Sequence, residues 1–582
     1  MVAGHLRTGF GWLWKGLSCE NAGRHSGNCL TVMRQIKALH PLPRASETTW
    51  APPGRVGSPR VQIVALTALA IAGFVGILLA TTHGIGLEPD SQAYIAGARS
   101  LAQGHGYAYS TPGGGYRPIV VWPPVYSFVL SLPGFFGFDP MGFARTLAAI
   151  VFASNVFLVG WLIRQEPAAG FWPPLLGATL ILTSTDMLSM HIRVLSEPLF
   201  ITTVLLGMLC TQRAITEGSR PLRYWAALIL GISAITRFAG LAFVGAGTIV
   251  VGLHLSHSWR KRIAESAAFF AVAVTPFLVW ATRSRLLADS FTGRETGWHP
   301  LGVPRWRTLG NALSCWLVPE TSPNWLRLVG LILVLLVLAT TLVMLTGTSR
   351  VLEKPPAFAR HLIIAAACYL ALLIFVMTFI DPRLAFERRV MVPLYPVLTV
   401  AVLTTLPHPR VPLGPLHRVV LIVISLSALA WFGARAALWF RVASSDAQGI
   451  AGRRFKESET LALAKGYLPR AECVYANNVP AVYFHLGQAA YPVPRIWDAD
   501  QARANVRFAD ETRIMLGRLA DSGGIVIWLY DLPGRDDAKE LKDLQPAASL
   551  VDLVRAADGV ILGPQRTVPV QKVQQGYTGP PE

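Results

Sequence analysis

The chain has 582 residues, of which 52% are hydrophobic and only 15% are charged. Soluble domains carry roughly 25% charged residues, so this composition excludes an ordinary soluble protein and indicates a multi-span membrane protein. The formal net charge of +19 comes from basic residues that fall mostly in short segments between apolar runs. Cytoplasmic loops of membrane proteins have this pattern, so we interpret the charge as topology and expect no nucleic-acid partner.

The N-terminal segment, residues 1–60, is basic and has no continuous apolar stretch. It is therefore not a secretory signal, and we expect a disordered cytoplasmic leader. The first apolar run, residues 61–82, is long enough to cross ~30 Å of hydrocarbon. With basic residues before it, its C-terminal end is predicted to lie outside the cell.

About eleven membrane-spanning helices are predicted within residues 61–440, with the N-terminus inside and the C-terminus outside. The run at 224–255 has basic residues on both flanks, so we expect it to cross twice and to reverse at Arg237. The predicted spans are 61–82, 143–163, 171–182, 195–211, two within 224–255, 264–281, 326–345, 362–380, 390–406 and 419–440.

Beyond the last span the composition becomes that of a soluble protein. Helix-like stretches (451–464 and 499–519) alternate with strand-like ones, namely 473–476, 525–530 and 560–562. This alternation predicts a small extracytoplasmic α/β domain over residues 441–563. The remaining residues, 564–582, are polar with Gly and Pro, and we expect a disordered tail.

The loop after the first span, residues 83–142, is the most informative part of the chain. From Gly84 to Tyr126 it is GIGLEPDSQAYIAGARSLAQGHGYAYSTPGGGYRPIVVWPPVY. Asp90 and Tyr94 are four residues apart, so they share one face if Ser91 to Gln103 is helical. Glycines then interrupt regular structure, and prolines turn the chain back toward the membrane.

This loop resembles the first extracytoplasmic loop of the GT-C superfamily, which are polytopic glycosyltransferases that use polyprenyl-phosphate-linked sugars. The superfamily includes the protein mannosyltransferase and aminoarabinose transferase-like enzymes. The resemblance is carried by Asp90, Tyr94, the A-x-x-L-x-x-G-x-G-Y run ending at Tyr107, Arg117 and the P-P-x-Y turn ending at Tyr126. It implies a mostly α, GT-C-like membrane protein in a bacterial-type cytoplasmic membrane.

The same resemblance implies sugar transfer from a polyprenyl-phosphate donor to a lipid, glycan or protein of the cell envelope. Such transfer needs a base for the acceptor's proton and cations for the departing phosphate. Asp90 is the candidate base, with Glu88 as its nearest competitor and a helix-capping acid as the alternative role. Glu197, in S-E-P-L-F, is the candidate second carboxylate, and an ion pair with Arg193 is its alternative.

The candidate phosphate-binding cations are Arg117, Arg237 and Arg389, with Arg388 beside the last. Arg389 begins an R-x-x-x-P-x-x-P feature that resembles one near a late span of these transferases. A structural ion pair with an acid such as Glu197 is an equal alternative for Arg237. For the 383–389 cluster the alternative is contact with ordinary lipid headgroups. The remaining predicted substrate-site residues are Glu88, Tyr94, Tyr126 and Arg193.

A divalent metal, Mg or Mn, is a further expectation, because some of these families depend on one. Asp90 with His83 would be its candidate ligands, although their spacing does not indicate a metal site, and hydrogen-bonding histidines are the alternative. The family often has a second acid after the first aspartate, where this chain has Ser91. Two other functions stay open: a transporter or flippase of lipid-linked substrates, and an inactive GT-C-like scaffold.

Overall fold

The computed structural model describes residues 58–564 with ten short gaps. The gaps are 167–168, 255–257, 289–296, 347–355, 406–414, 499–502, 531, 533–539, 543 and 545–549. Almost all of the predicted leader and of the predicted tail therefore lies outside the described residues. Pro564, which we assigned to the tail, is instead the last residue of a strand.

The fold is mostly helical, and the membrane part of the chain, up to residue 443, contains sixteen α-helices among the described residues. These are α1 (Pro59–Ala80), α2 (Pro89–Ala102), α3 (Val125–Ser131), α4 (Pro140–Arg164), α5 (Trp172–Thr183), α6 (Thr185–His191), α7 (Glu197–Thr216), α8 (Arg220–Thr236), α9 (Leu241–His254), α10 (Trp259–Ala288), α11 (Val303–Ser314), α12 (Asn324–Leu345), α13 (Ala357–Phe379), α14 (Arg388–Met391), α15 (Leu394–Thr405) and α16 (Pro415–Ala443).

Within the described residues, six helices are long and apolar enough to cross a membrane: α1, α4, α7, α10, α12 and α13. The prediction of a multi-pass membrane protein is thereby confirmed, whereas the count of eleven spans stays a prediction. The helical run at 224–255 is interrupted where we expected it. Helix α8 ends at Thr236, a 3-10 turn covers Phe238–Gly240, and α9 follows.

The loop after α1 is held by backbone pairing to two distant segments. The N–H of Gly86 donates to Ile192 at 2.7 Å, and the N–H of Val194 donates back to Gly86 at 2.9 Å. On the other side, Leu87 exchanges bonds of 3.1 and 2.8 Å with Gln448 and Ile450. Three stretches from different parts of the sequence therefore fix the point at which α2 begins.

After α2 the loop forms a short antiparallel hairpin of β1 (Ala108–Ser110) and β2 (Tyr116–Pro118). The C-terminal part contains a five-stranded sheet in the order β4-β3-β7-β9-β8. Its elements, in chain order, are α17 (Arg453–Lys456), α18 (Glu459–Tyr467), β3 (Val474–Ala476), α19 (Val479–Leu486), β4 (Tyr491–Pro492), β5 (Trp497–Asp498), β6 (Arg503–Ala504), α20 (Phe508–Ser522), β7 (Ile525–Leu529), β8 (Leu550–Ala556) and β9 (Gly559–Pro564). Strands β5 and β6 form a separate antiparallel pair.

The three predicted strands of this part correspond to β3, β7 and β9. The helix predicted over 499–519 is wrong at its start, because Arg503–Ala504 is strand β6 and α20 begins only at Phe508. Strands β3 and β7 are parallel, whereas β7 and β9 are antiparallel. One buried apolar cluster includes helix residues such as Leu66 and Tyr94 and also the strand residues Ile527 and Ile561. This shared core ties the sheet to the helices that carry the loop.

Candidate active site

Arg389 connects two of the predicted site carboxylates. From the one-turn helix α14 its Nη2 donates to Oδ2 of Asp90 at 2.6 Å, and its Nε donates to Oε1 of Glu197. Burial opposes the charge on Arg389, but the attraction of Glu197 and Asp90 outweighs it and raises the pKa of the guanidinium. Arg389 is therefore a permanent cation between two acids.

Glu197 is the buried centre of this cluster. Its side chain is only 1% exposed, and Oε1 also lies 2.9 Å from Nη1 of Arg237. The residue begins α7, where the helix dipole favours a negative charge. Its second oxygen, Oε2, is buried and has no hydrogen-bond partner among the described residues. A buried carboxylate oxygen that accepts no hydrogen bond costs free energy. Such an oxygen is expected where a bound ligand supplies the missing donor.

A short polar chain links this centre to α2. The Tyr94 hydroxyl lies 2.9 Å from Oγ of Ser196, and Nη1 of Arg237 donates to the same Oγ at 3.2 Å. Burial raises the pKa of Tyr94, so its phenol stays neutral and acts as a hydrogen-bonding group. Tyr126 packs edge-on against Tyr94, with ring centroids 5.1 Å apart. Tyr94 thus reaches the cluster through its hydroxyl, and Tyr126 supports its ring.

Asp90 is not the cap of its helix. The N-cap position belongs to Glu88, and Oγ of Ser91 accepts from the Glu88 N–H at 2.9 Å. Ser91 in turn donates to the Val194 carbonyl at 2.8 Å. The capping alternative for Asp90 is therefore wrong, and within the described part of the chain its carboxylate contacts only Arg389, through one oxygen. The other oxygen, Oδ1, is available to a substrate.

Arg193 pairs with Glu88, not with Glu197. The Gly86–Arg193 backbone bridge brings Arg193 beside the start of α2, and its Nε lies 3.2 Å from Oε1 of Glu88. The alternative ion pair between Arg193 and Glu197 is thereby wrong. For Arg237 the structure has the contact with Glu197 that we gave as one of two alternatives.

The cluster keeps free donors for an anion. Among the described residues, Nη1 of Arg389 has no partner, and Arg237 bonds through Nη1 alone, which leaves its Nε and Nη2. Both arginines are roughly 30% exposed, at 30% and 27%. They can therefore meet a phosphate with charge-assisted hydrogen bonds while they still hold the acids.

Other predicted site residues lie elsewhere. Arg388 pairs with Asp186 and with Glu320. Arg117 lies on exposed strand β2, opposite Tyr109, and its side chain makes no hydrogen bond or ion pair among the described residues. His83 is exposed and contacts the Thr82 hydroxyl at 3.4 Å.

The described residues include no group of three or more His, Cys, Asp or Glu side chains arranged to hold a metal ion. Asp90 faces a guanidinium here, which is a poor neighbour for a divalent cation. A metal at Asp90 and His83 stays a prediction.

Two contributors to the region were not assigned a role from sequence. Ser196 was passed over because a serine beside an acid carries no distinctive pattern. Asp186 has no predicted role, although a carboxylate beside apolar runs is itself a signal of pairing or function.

No protein-family model matches the chain, and no curated protein matches it by sequence. Solved structures do resemble it. The structure of ArnT from Cupriavidus metallidurans bound to undecaprenyl phosphate matches with a TM-score of 0.53 at 14% identity, over 87% of this chain and 98% of that one. The protein has a GT-C-like fold.

Two further solved structures match with lower scores. The arabinofuranosyltransferase AftD from Mycobacteria gives a TM-score of 0.49 at 14% identity, over 87% of this chain and 42% of that one. The oligosaccharyltransferase of Archaeoglobus fulgidus, in complex with Zn and sulfate, gives 0.48 at 12% identity, over 79% of this chain and 68% of that one. The conclusion that the fold is GT-C-like rests on the ArnT match.

Proposed function

We propose that this GT-C-like protein is a membrane glycosyltransferase. It moves a sugar from a polyprenyl-phosphate-linked donor to a lipid, glycan or protein of the cell envelope, on the extracytoplasmic face. The observation that carries the proposal is the cluster in which Arg389 holds Asp90 and Glu197 while unpaired guanidinium donors remain. The lipid phosphate bound to the similarly folded ArnT supports a donor of this class.

The geometry supports one assignment of catalytic roles to these residues. The acceptor's hydroxyl or amine attacks the anomeric carbon of the donor, and its proton passes to Oδ1 of Asp90. The bond from that carbon to the phosphate oxygen breaks, and its electrons stay on the phosphate. Nη1 of Arg389 and the free nitrogens of Arg237 then stabilise the charge that develops there. Because Oδ2 of Asp90 is held by Arg389, the carboxylate is fixed for the transfer.

Glu197 has a different part in this scheme. It is almost fully buried and holds both arginines through one oxygen, so it aligns the cations. Its unpartnered Oε2 is the group that would accept a hydrogen bond from a sugar hydroxyl. Arg117, exposed on the hairpin, is a further proposed contact of the donor, whereas Tyr126, buried behind Tyr94, supports the ring of Tyr94.

The test is a transfer assay on purified protein with a panel of radiolabelled polyprenyl-phosphate sugars and an envelope extract as acceptor source. Asp90→Asn keeps the size of the side chain and removes its basicity, so we expect a loss of at least about 100-fold in rate. Glu88→Gln is the matched control, because this neighbouring acid pairs with Arg193 outside the cluster. Thermal unfolding of each variant shows whether the fold is kept.

The outcomes separate the candidate functions. Transfer that disappears in Asp90→Asn and persists in Glu88→Gln supports the proposal. Loss in Glu88→Gln alone would move the base to Glu88. Movement of intact donor across a vesicle membrane, without label in any acceptor, would favour a transporter or flippase. Binding of undecaprenyl phosphate with neither transfer nor transport would favour an inactive scaffold.

A further inference from the structure

Two consecutive arginines on a one-turn helix reach two different buried acids. Arg389 holds Glu197 and Asp90, as described above. Arg388 donates from Nε to Oδ1 of Asp186 at 2.7 Å and from Nη2 to the same oxygen. The Asp186 side chain is only 2% exposed. Helix α14 is therefore held on two sides by ion pairs whose acids lie near the N-termini of α6 and α7.

The environment of Asp186 is built for a cation. Burial opposes the charge on Arg388, but its interactions with Asp186, together with smaller ones that include the bond to Glu320, outweigh burial and raise the pKa of that guanidinium. A second guanidinium, that of Arg435, donates to the Thr185 hydroxyl at 3.3 Å and to the Cys315 carbonyl at 3.0 Å. The remaining partner of Arg388 is Glu320, which is 63% exposed. Asp186 is thus the buried acid that holds Arg388, whose own side chain is 35% exposed.

Helix α14 cannot set its own orientation. A helix of four residues, Arg388–Met391, is far below the length at which helices are stable alone, about 12–15 residues. Its position must come from tertiary contacts. One is the Tyr369 hydroxyl, which donates to the Val390 carbonyl at 2.8 Å, and another is the burial of Met391. The Arg388–Asp186 pair is the contact next to Arg389 in sequence.

We propose that Asp186 and Arg388 are positioning residues, whose ion pair fixes α14 so that Arg389 reaches Asp90 and Glu197 together. This inference rests on the proposed function of that cluster. It replaces direct phosphate binding as the role of Arg388, whose side chain bonds to Asp186 and Glu320 among the described residues. When the pair is broken, α14 shifts, and Arg389 no longer holds both carboxylates in one geometry.

The first test does not depend on activity. It is a double-mutant cycle on thermal unfolding, in which Arg389→Gln is made in the wild type, in Asp186→Asn and in Arg388→Lys. If the ion pair positions Arg389, the drop in Tm caused by Arg389→Gln shrinks to less than half in Asp186→Asn and shrinks by a smaller amount in Arg388→Lys. Equal drops in all three backgrounds would overturn the proposal. Arg388→Lys keeps a charge beside Asp186, so the cycle does not depend on one fragile variant.

The matched control is Glu320→Gln. Glu320 contacts the same Arg388 at 3.0 Å, but on the exposed side. Exposed ion pairs contribute little, so the drop caused by Arg389→Gln should be the same with and without this substitution. A drop that shrinks equally in Glu320→Gln and in Asp186→Asn would show a general charge effect, and the positioning role would be wrong.

The second test uses transfer. Asp186→Asn should lower kcat by about 10- to 100-fold with little change in KM for the donor, because a displaced catalytic group costs rate. Arg388→Lys should lower kcat less than Asp186→Asn does, because a lysine keeps a charge beside Asp186, and Asp186→Asn should cost nothing further in an Arg389→Gln background. A further loss of tenfold or more in that background would overturn the proposal. Absence of transfer in the wild type would count against the proposed function, and the thermal cycle would still decide the positioning role.

Discussion

Arg389 donates to Asp90 across 299 residues of sequence, at a distance of 2.6 Å. The contact joins the first loop after α1 to a one-turn helix late in the chain. With Glu197 as the third member, it brings together residues from three distant segments of the sequence. A charge arrangement of this kind is held by the whole fold, so its parts respond to substitution as one unit.

The first prediction compares Arg389→Lys with Arg389→Gln. A lysine keeps the charge but has no planar fork, so it can satisfy only one of the two carboxylates at a time. We expect transfer to fall by more than about 10-fold in Arg389→Lys and further in Arg389→Gln. The glutamine variant should also lose about 3 kcal/mol of stability, because only Arg237 then remains to pair the buried Glu197.

Transfer kinetics and thermal unfolding check this prediction together. Arg260→Gln is the control, because Arg260 lies beside exposed Trp259, far along the sequence from the cluster, and stacks on its ring at 5.5 Å. Wild-type rates in Arg389→Lys would show that one charge suffices and that the bidentate geometry has no role.

The second prediction concerns Gly86, where the loop meets two other segments. A methyl group at this position would lie 2.9 Å from Cγ of Arg193 and 2.9 Å from Cβ of Gln448. Something must then shift, so Gly86→Ala should destabilise the protein by about 1–3 kcal/mol and reduce transfer by displacing α2. Thermal unfolding and transfer rates measure the two effects.

Gly76→Ala is the matched control for that substitution. Gly76 lies inside α1, and a methyl group there meets no atom within 4 Å. Alanine is favoured over glycine in a helix by about 1 kcal/mol, so this variant should be as stable as the wild type or slightly more stable. If Gly86→Ala and Gly76→Ala had the same unfolding temperature and the same transfer rate, the close approach of the chain at Gly86 would not be needed for stability or activity.

The third prediction concerns the hairpin that carries Arg117. Arg283, near the end of α10, donates to the Ile119 carbonyl at 2.9 Å and to the Tyr107 carbonyl at 3.2 Å. It also stacks on Trp280, with its guanidinium carbon 4.7 Å from the ring centroid. Arg283→Gln should loosen the hairpin, so amide hydrogens in residues 107–119 should exchange at least several-fold faster.

The peptides of α20 provide the internal reference for that exchange measurement, because this helix makes no contact with Arg283 in the described hydrogen bonds. Unchanged exchange at 107–119 would show that the hairpin is held by its own strand pairing and by the packing of buried Tyr107 and Ile119. Faster exchange everywhere would indicate global destabilisation and not a local clamp.

Much of the fold follows from local sequence signals. Apolar runs predicted helices at the right places, and the polar interruption at Arg237 predicted the break between α8 and α9. Asp90, Tyr94 and Arg389 are predicted as site residues because the motifs around them resemble those of GT-C transferases. Glu197 is predicted because an acid near a membrane boundary is costly unless it is paired or functional.

The pairing of these residues could not be predicted. The pairing of Arg193 with Glu88 depends on the bridge between Gly86 and Arg193, a contact between distant segments that leaves no mark in local composition. The motif singles out Arg389 from Arg388, but nothing in the local sequence says which acid each of these adjacent arginines reaches. The start of α20 was misplaced because β5 and β6 pair only with each other over two residues, which is too short for a strand pattern.

The fourth prediction concerns acid sensitivity of the C-terminal sheet. Asp558, in the turn between β8 and β9, accepts from the Thr460 N–H at 3.0 Å and from its hydroxyl at 2.7 Å. Burial alone would raise the pKa of Asp558, but the hydrogen bonds from Ser458 and Thr460 outweigh it and hold the pKa below its usual value. These bonds tie the turn to the start of α18.

The lowered pKa of Asp558 determines how stability changes with pH. A carboxyl whose pKa is lower in the folded state stabilises the fold above its unfolded pKa of about 3.9, and this contribution is lost as the pH falls through the folded value. Asp558→Asn should therefore cost about 1 kcal/mol at pH 7 and almost nothing at the most acidic pH at which the wild type stays folded. Thermal unfolding of both proteins across that pH range measures the difference between them.

Asp510→Asn is the control, because Asp510 is 69% exposed and its pair with Arg513 lies within one turn of α20. The difference in stability between the wild type and this variant should be small at every pH, because exposed ion pairs contribute little to stability. If the difference in stability between the wild type and Asp558→Asn stayed constant as the pH fell, the turn would be held by packing and neutral hydrogen bonds. The charge on Asp558 would then have no part in anchoring the sheet to α18.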